Sequence, residues 1–584
     1  MTQGTGGFKD ARYAGDHATP DGRVVGKLLG PEFKSAGGGN RRLPDETKLC
    51  PIFHCRKACM GEESLFDERI GAWNAISVRT ASVAAFYDEA LPALDGWWRR
   101  NGGYHDAVAG LHRRLIPPGK RVLELGCSLG NLLVAVRPRE GIGVDLSQRT
   151  VEEARRRHPD IQFVVGDAHT VPVKGEFDYV ILQDLVGHLE DVLAALKSLR
   201  AAIGEDTRIV LSYYNFVWSP ILSLAEQFGQ KMSLPRQNWL SMGDLRGLLE
   251  LAGFEIEDQG TELLFPRYVP GITKLANDYL AHLPVFRDLC LLEYFVAVPK
   301  ALSLSEEQTV SVIVACRNEV DNIAECVRRT PEIGAGTELI FVDGASTDGT
   351  RDLILEIIEA ERGRRDIKLI EQVSGFDYAA LGREASAHPV GMLALGKGDA
   401  VRKGFAAATG DILMILDADM TVAPEDLPKF YYPLRDGQAE FVNGVRLVYP
   451  IEREAFRLAN LLGNKFFSVV FSWLLGQPVK DTLCGTKALR RSDYDRLVAG
   501  RSHFGEFDPF GDFDLLFGAA RLGLHIVDMP VRYYRRVAGY TKVSVRRHGP
   551  LLGAMTIVGF RKLKWPRWRA RLSTLFGGGG SGAF

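Results

Sequence analysis

From residue 120 the chain repeats one pattern: a short apolar run, a stretch with helical spacing, then another apolar run. RVLELG, GIGVDL, IQFVVGDA, FDYVILQD, TRIVLSYY and LLEYFVAVPK alternate with helical stretches such as TVEEARRRH and LEDVLAALKSLRAAI. Buried strands linked by helices pack as a parallel, doubly wound sheet, so this α/β pattern leaves few alternatives. A polar segment at 300–309, KALSLSEEQT, interrupts it, and the alternation restarts with VSVIVACRN, TELIFVDG, IKLIEQ and DILMILDAD. Two α/β domains joined near residue 305, spanning 76–304 and 305–576, are expected, which suits 584 residues, too many for one core. Residues 1–75, Gly-rich and without periodicity, read as a flexible N-terminal segment, and GGGGSGAF at 577–584 as a flexible tail.

With 46% hydrophobic and 25% charged residues, each domain can bury a core. The formal net charge of -1 hides an asymmetry: from Met529 onward there is no Asp or Glu, while Arg532 to Arg571 carries twelve Lys and Arg. An anionic partner near the C-terminal end follows. Eight scattered cysteines form no even framework and indicate a reducing compartment. CPIFHCRKACM brings Cys50, His54, Cys55 and Cys59 close together, but its spacing matches neither zinc nor iron–sulfur patterns, so a bland cysteine cluster is expected. No basic-then-apolar leader opens the chain, and FFSVVFSWLLG and LLGAMTIVGF fall far short of the roughly 20 residues that span a bilayer. A soluble or monotopic protein is expected.

VLELGCSLGNLL puts Gly126 and Gly130 in a strand-to-helix turn, a weak signal alone. Asp145 strengthens it by ending the next strand, where a carboxylate accepts the hydroxyls of a ribose; Asp167 ends a third strand, beside an adenine. Glu124, just ahead of the turn, would oppose a pyrophosphate and suits a cationic ligand. VLELGCSLGN, GVDLS, VVGDAHTVP and FDYVILQDLVGHLEDV resemble the successive motifs of class I S-adenosylmethionine (SAM)-dependent methyltransferases, a Rossmann-like fold, with Ser128 in place of the usual middle glycine. The resemblance implies that Glu124, Gly126 and Gly130 line the methionine end of SAM. It places Asp145 on the ribose, and Asp167 with Ala168 beside the adenine. A hydroxyl acceptor also needs a base, and His188 is the candidate. The plain structural role for His188 is a helix-start histidine bonded to backbone.

In ILDADMTVAPEDL an apolar run delivers two carboxylates, Asp417 and Asp419, to the rim of a core, where like charges call for a cation. Mg2+ or Mn2+ is the expected choice for oxygen ligands beside a diphosphate. Other strand ends bring Arg317, Asn318 and Glu319, then Asp343, Ser346 and Asp348, while GKGDAVRKGF supplies Lys397, Arg402 and Lys403. In this order the segments resemble glycosyltransferase family 2, the GT-A fold. DTLCGTKALRR, FGDFDLLFGAARLG and MPVRYYRRVAGYTKVS resemble the branch of polyprenyl-phosphate sugar transferases. The resemblance implies donor binding by Arg317, Glu319, Asp343, Lys397, Arg402 and Asp417, a metal on Asp417 and Asp419, and Asp512 or Asp514 as base. Gly344 stands where the family often has a second aspartate. The segment 371–393 reads as a lid, and no Q-x-x-R-W follows, which argues against a processive synthase.

Arg535 to His548, the apolar LLGAMTIVGF, and RKLKWPRWRAR with Trp565 and Trp568 suit a helix lying in a membrane interface. The expected protein is a bifunctional transferase, cytoplasmic and peripheral at the inner face of the membrane. It takes SAM, a nucleotide sugar and a polyprenyl-phosphate or glycan-lipid acceptor, and no nucleic acid. The alternative is a glycosyltransferase whose SAM-binding domain is catalytically silent.

Overall fold

The computed structural model describes residues 78–238, 240–267, 269–301, 305–372, 396–446, 448–449, 458–501, 512–534 and 545–566. The Cys50 to Cys59 cluster, nearly all of the expected lid, the side chains of Arg535 to His548, Trp568 and both flexible ends lie outside them.

The ten alternating apolar runs, from RVLELG to DILMILDAD, are strands, whereas FFSVVFSWLLG and LLGAMTIVGF lie on helices. The first sheet holds β1 Arg121–Leu125, β2 Glu140–Asp145, β3 Gln162–Val165, β4 Phe177–Gln183, β5 Ile203–Tyr214, β6 Phe254–Glu262 and β7 Leu292–Pro299, in the order β3-β2-β1-β4-β5-β7-β6. The second holds β8 Thr309–Cys316, β9 Gly336–Asp343, β10 Asp366–Glu371, β11 Ile412–Asp417, β12 Phe441–Val445, β13 Lys487–Arg490 and β14 Ile526–Pro530, in the order β10-β9-β8-β11-β13-β12-β14. Both sheets are mixed rather than wholly parallel. β7 runs antiparallel to β5 and β6, and β13 antiparallel to β11 and β12.

Apart from β3 and β10, which lie at sheet edges, the ten runs form central strands because they are buried on both faces. Ile412 to Leu416 are each at or below 1% exposure. A fully buried Leu or Ile stabilises by roughly 1.5–3 kcal/mol, enough to hold a strand that ends on a carboxylate. β6 has no such run; FEIEDQGTE sits at the sheet edge with most side chains outside the core. One apolar cluster takes in Leu123 and Leu211 of the first sheet, Leu193 and Leu248 beside it, and Met414, Leu427 and Tyr431 of the second half. The two sheets therefore share one compact body, residues 76–584. Among the described residues no helix is long and apolar enough to cross a membrane.

Candidate functional site

The first sheet reverses its strand order between β1 and β4, and ligands of open α/β sheets bind at the carboxyl edge of such a switch point. There the chain turns through Gly126, Ser128 and Gly130 with φ of +73°, +47° and +75°. A Cβ on Gly130 would stand 2.5 Å from the Phe163 ring, so only glycine fits. Ser128 keeps the left-handed backbone at a cost of about 1 kcal/mol. Its N–H donates to Asp145 Oδ2 at 2.8 Å, and the Ser147 N–H to Oδ1 at 3.0 Å, which clamps the end of β2 to the turn. Glu124 on β1 is buried, and its Oε2 has no hydrogen-bond partner among the described residues. Burial, opposed by a backbone hydrogen bond and helped by the Asp145 charge, pushes its pKa up to about 8. Asp167 spends Oδ1 on His169, accepting from its N–H at 2.9 Å and meeting Nδ1 at 2.7 Å, while Ala168 is buried beside it.

The helices Val78–Arg100 and Gly102–Leu115 cover this edge. Asp88 accepts from the Ser147 hydroxyl at 2.6 Å, and Arg79 donates to the Gly187 and Arg236 carbonyls at 3.1 and 3.0 Å. His188 Nε2 meets the Tyr87 hydroxyl at 3.1 Å and the Gln237 amide nitrogen at 3.3 Å. An amide nitrogen only donates, so Nε2 accepts and the ring proton sits on Nδ1. Burial, helped by Arg79 and Lys231, lowers the His188 pKa to about 4. The imidazole is neutral, with its lone pair already engaged.

A second candidate base is Asp184, one residue past β4. Its backbone is left-handed at φ +52°, and burial raises its pKa to about 6. Tyr104 donates to Oδ2 at 2.8 Å, while Oδ1 is buried without a hydrogen-bond partner among the described residues.

The second sheet reverses order between β8 and β11. Left-handed, non-glycine residues follow each strand there: Asn318 after β8, Ala345 after β9 and Met420 after β11. Such strain gathers where a ligand dictates the backbone. Asp343 is fully buried, bound by the Ser346 N–H at 3.1 Å and by its hydroxyl, and the Asn318 N–H donates to that hydroxyl at 2.9 Å. Glu319 holds Asn322 at 2.8 Å.

The cation against Asp417 is the ammonium of Lys397. Burial would lower the Lys397 pKa, but Asp417, Asp512 and Asp419 outweigh it and raise it. Asp419 Oδ1 accepts from the Thr421 N–H at 3.1 Å and its hydroxyl at 2.9 Å. Gly485 lies against the Lys397–Asp417 pair so closely that a Cβ would collide with both groups. Asp512 pairs with the buried Lys487 at 2.9 Å, whereas Asp514 pairs with Arg501 at 3.0 Å. Two residues apart on a helix they cannot share a face, and Asp512 is the one whose charge acts on Lys397. Arg317 sits just past the end of β8, and Arg402 on the helix Gly396–Ala407.

A methyltransferase domain model matches residues 98–259, and the glycosyl transferase family 2 model matches 311–381 and 394–498. The chain joins a methyltransferase domain to a family 2 glycosyl transferase domain. The chain is 26% identical over 231 residues to glycosyltransferase AglJ of Haloferax volcanii, covering 39% of this chain and 64% of the relative. It is 26% identical over 244 residues to undecaprenyl-phosphate 4-deoxy-4-formamido-L-arabinose transferase of Pseudomonas fluorescens, covering 41% of this chain and 61% of the relative. The chain thus spans less than two thirds of those relatives. A SAM-dependent methyltransferase, possible histamine N-methyltransferase, from Thermotoga maritima matches at 16% identity and a TM-score of 0.29, over 37% of this chain and all of that one.

The two domains meet beside their sites. Arg532 of the glycosyl transferase domain donates to the Glu190 carbonyl at 2.7 and 3.0 Å and lies over the Tyr449 ring. Lys429 reaches Asp191 at 2.7 Å, and Lys480 reaches Ser241 at 3.1 Å. Two residues past Arg532, the Tyr534 N–H donates to the Thr421 carbonyl at 2.9 Å. One short strap thus touches Thr421, which holds Asp419, and the segment just past His188.

Proposed function

We propose that the chain is a bifunctional transferase. Its methyltransferase domain moves a methyl group from SAM. Its glycosyl transferase domain moves a sugar, with inversion and metal assistance, from a nucleotide sugar to a polyprenyl-phosphate or glycan-type acceptor. The observation that carries the second activity is the gathering of Asp343, Asp417 and Lys397 at one switch point. An undecaprenyl-phosphate acceptor in the name of one relative supports the acceptor class. Position by position, Asp343 would meet the base, Asp417 and Lys397 the donor, and Asp512 the acceptor; a phosphate acceptor is largely ionised and needs little base.

Two carboxylates of hard oxygen suit Mg2+ or Mn2+, which needs only one or two protein ligands beside substrate phosphates. Asp419 and Asp417 would hold it, although the described residues gather no cluster of three such ligands. Bound there, the ion would neutralise charge on the departing nucleoside diphosphate. Lys397 would hold the same charge from the protein side.

For SAM, the buried, unpartnered Glu124 oxygen and the glycine cradle suit a cationic ligand on a close backbone. The engaged lone pair of His188 favours a second reading, in which this domain binds SAM without transferring its methyl group. Membrane contact would run through the C-terminal helical region, where Ile557 and Trp565 are exposed and Lys564 lies over Trp473. Together with the scattered cysteines, such contact would put the protein at the cytoplasmic face of the membrane.

A panel of nucleotide sugars with polyprenyl phosphate, read by mass spectrometry with and without SAM and with Mn2+ or a chelator, tests the reading. A glycosylated lipid phosphate lost on chelation supports it, and a mass gain of one methyl separates transfer from silent binding. No product with any donor sinks it.

Binding of SAM should also be proton-linked. A carboxyl whose folded pKa is raised stabilises the fold below its unfolded value and loses that contribution as pH rises through about 8. Glu124 must ionise to meet a cation, so SAM affinity should rise about tenfold per unit between pH 6 and 8. Calorimetric titration across that range checks it; Glu124→Gln should flatten the slope.

A further inference from the structure

Two inserts of the methyltransferase domain carry an apolar face that stands in solvent. The first runs from the turn Phe216–Trp218 through the helix Ser219–Gln227. Val217, Ile221, Leu224 and Phe228 recur at helical spacing, and Phe228 is 75% exposed. The second covers Ile272–Asp278, Leu280–His282 and Pro284–Arg287. Ile272, Leu275, Tyr279 and Leu283 repeat the spacing, followed by Val285 at 74% exposure.

The inserts form one surface. The Trp218 indole N–H donates to the Leu289 carbonyl at 2.8 Å at one end, and Arg267 donates to Gln230 at the other. Both leave the sheet where β5 and β6 end and β7 begins, because Tyr214 and Glu262 each pair with Leu292. This is the edge that carries Asp184 and the Gly126–Gly130 turn. Exposed cations lie on and beside the inserts: Arg267, Lys274 and Arg287, against Asp278 and Asp288, the latter paired with Arg287 at 3.8 Å. Arg100, also exposed, ties the first insert to the first helix by donating to the Gly229 carbonyl at 2.7 Å.

We propose that this face docks on an anionic lipid surface, with the apolar residues in the headgroup layer and the cations on lipid phosphates. Contiguous apolar surface of this kind marks an interaction site, and neighbouring cations with Tyr and Phe match an anionic bilayer. A second copy fits worse, since a two-fold pairing sets the same cations against themselves. Docking would bring the mouth of the methyltransferase site to the headgroups. The inference is independent of membrane contact through Trp473 and Trp565.

The test is flotation of the full chain with phosphatidylcholine vesicles and with vesicles containing about one third phosphatidylglycerol. Wild type should float with the anionic vesicles. Phe228→Asp with Val285→Asp, both at exposed positions, should lower partitioning about 10-fold or more. Lys274→Glu with Arg287→Glu should abolish the preference for anionic lipid, and unchanged melting temperatures show that the variants fold. If Trp473→Asp with Trp565→Asp removes all binding while Phe228→Asp with Val285→Asp removes none, this inference fails and the C-terminal contact stands. Wild type that floats with neither vesicle also overturns it. So does a dimer in light scattering that the Phe228 and Val285 variant dissociates without changing flotation.

Discussion

Asp417→Asn should reduce sugar transfer on the order of 10²–10³-fold while leaving the protein folded. The side chains of the Lys397–Asp417 pair keep 30% and 28% of their exposure. Breaking a partly exposed pair costs about 1 kcal/mol, far less than stranding a fully buried charge. Activity suffers more, because an unpaired Lys397 turns toward Asp419 and Asp512, the charges that raise its pKa alongside Asp417. Gly485→Ala attacks the same pair from the other side, since a Cβ there collides with carboxylate and ammonium alike. Desolvation at the end of β11 opposes ionisation of Asp417, yet Lys397 holds its pKa below the usual carboxylate value. A depressed carboxyl pKa gives stability that is present above the unfolded value near 3.8 and lost only as pH falls further, so the pair adds no pH dependence between 5 and 8. Transfer rates at saturating donor, with thermal melts as the folding control, decide the matter. A variant within threefold of wild type would mean that the end of β11 does not bind the donor.

The central strands were legible because burial on both faces writes itself as unbroken apolar runs, as in Ile412 to Leu416. β6, β12, β13 and β14 were not: FEIEDQGTE lies at an edge, and FVNGV, KALR and IVDMP are five residues or fewer, too short to show a period. Asp343 and Asp417 could be placed at strand ends from their order along the chain, but their partners could not. That Lys397 lies on Asp417, and that Asp512 rather than Asp514 acts on it, depend on helix phase and side-chain direction. The covering helix Val78–Arg100 carries Tyr87 and Asp88, whose roles no motif signals. Asp184 stood in plain view at the end of FDYVILQD. Its left-handed backbone and raised pKa, which single it out, exist only in the fold.

Asp184→Asn should lower methyl transfer to a hydroxyl acceptor by about 10²–10⁴-fold, the usual contribution of a positioned base. Asparagine tolerates the left-handed backbone at φ +52°, and its amide can still face the Tyr104 hydroxyl, so geometry survives while basicity goes. Burial raises the Asp184 pKa to about 6, with Tyr104 and Lys231 opposing. A raised carboxyl pKa stabilises the fold fully below the unfolded value near 3.8 and loses that contribution as pH rises through about 6. At pH 7 to 8 the asparagine variant should therefore be more stable than wild type by about 1–2 kcal/mol, while far less active. A base must be ionised to act, so the wild-type rate should rise about tenfold per unit below pH 6 and level off above it. His188→Gln separates the two candidates: the lone pair of His188 is engaged by Tyr87 and Gln237, so the loss should be small. Full activity in Asp184→Asn together with collapse in His188→Gln would reverse the assignment, and a wild type that binds SAM yet methylates no acceptor would leave binding as the domain's whole task.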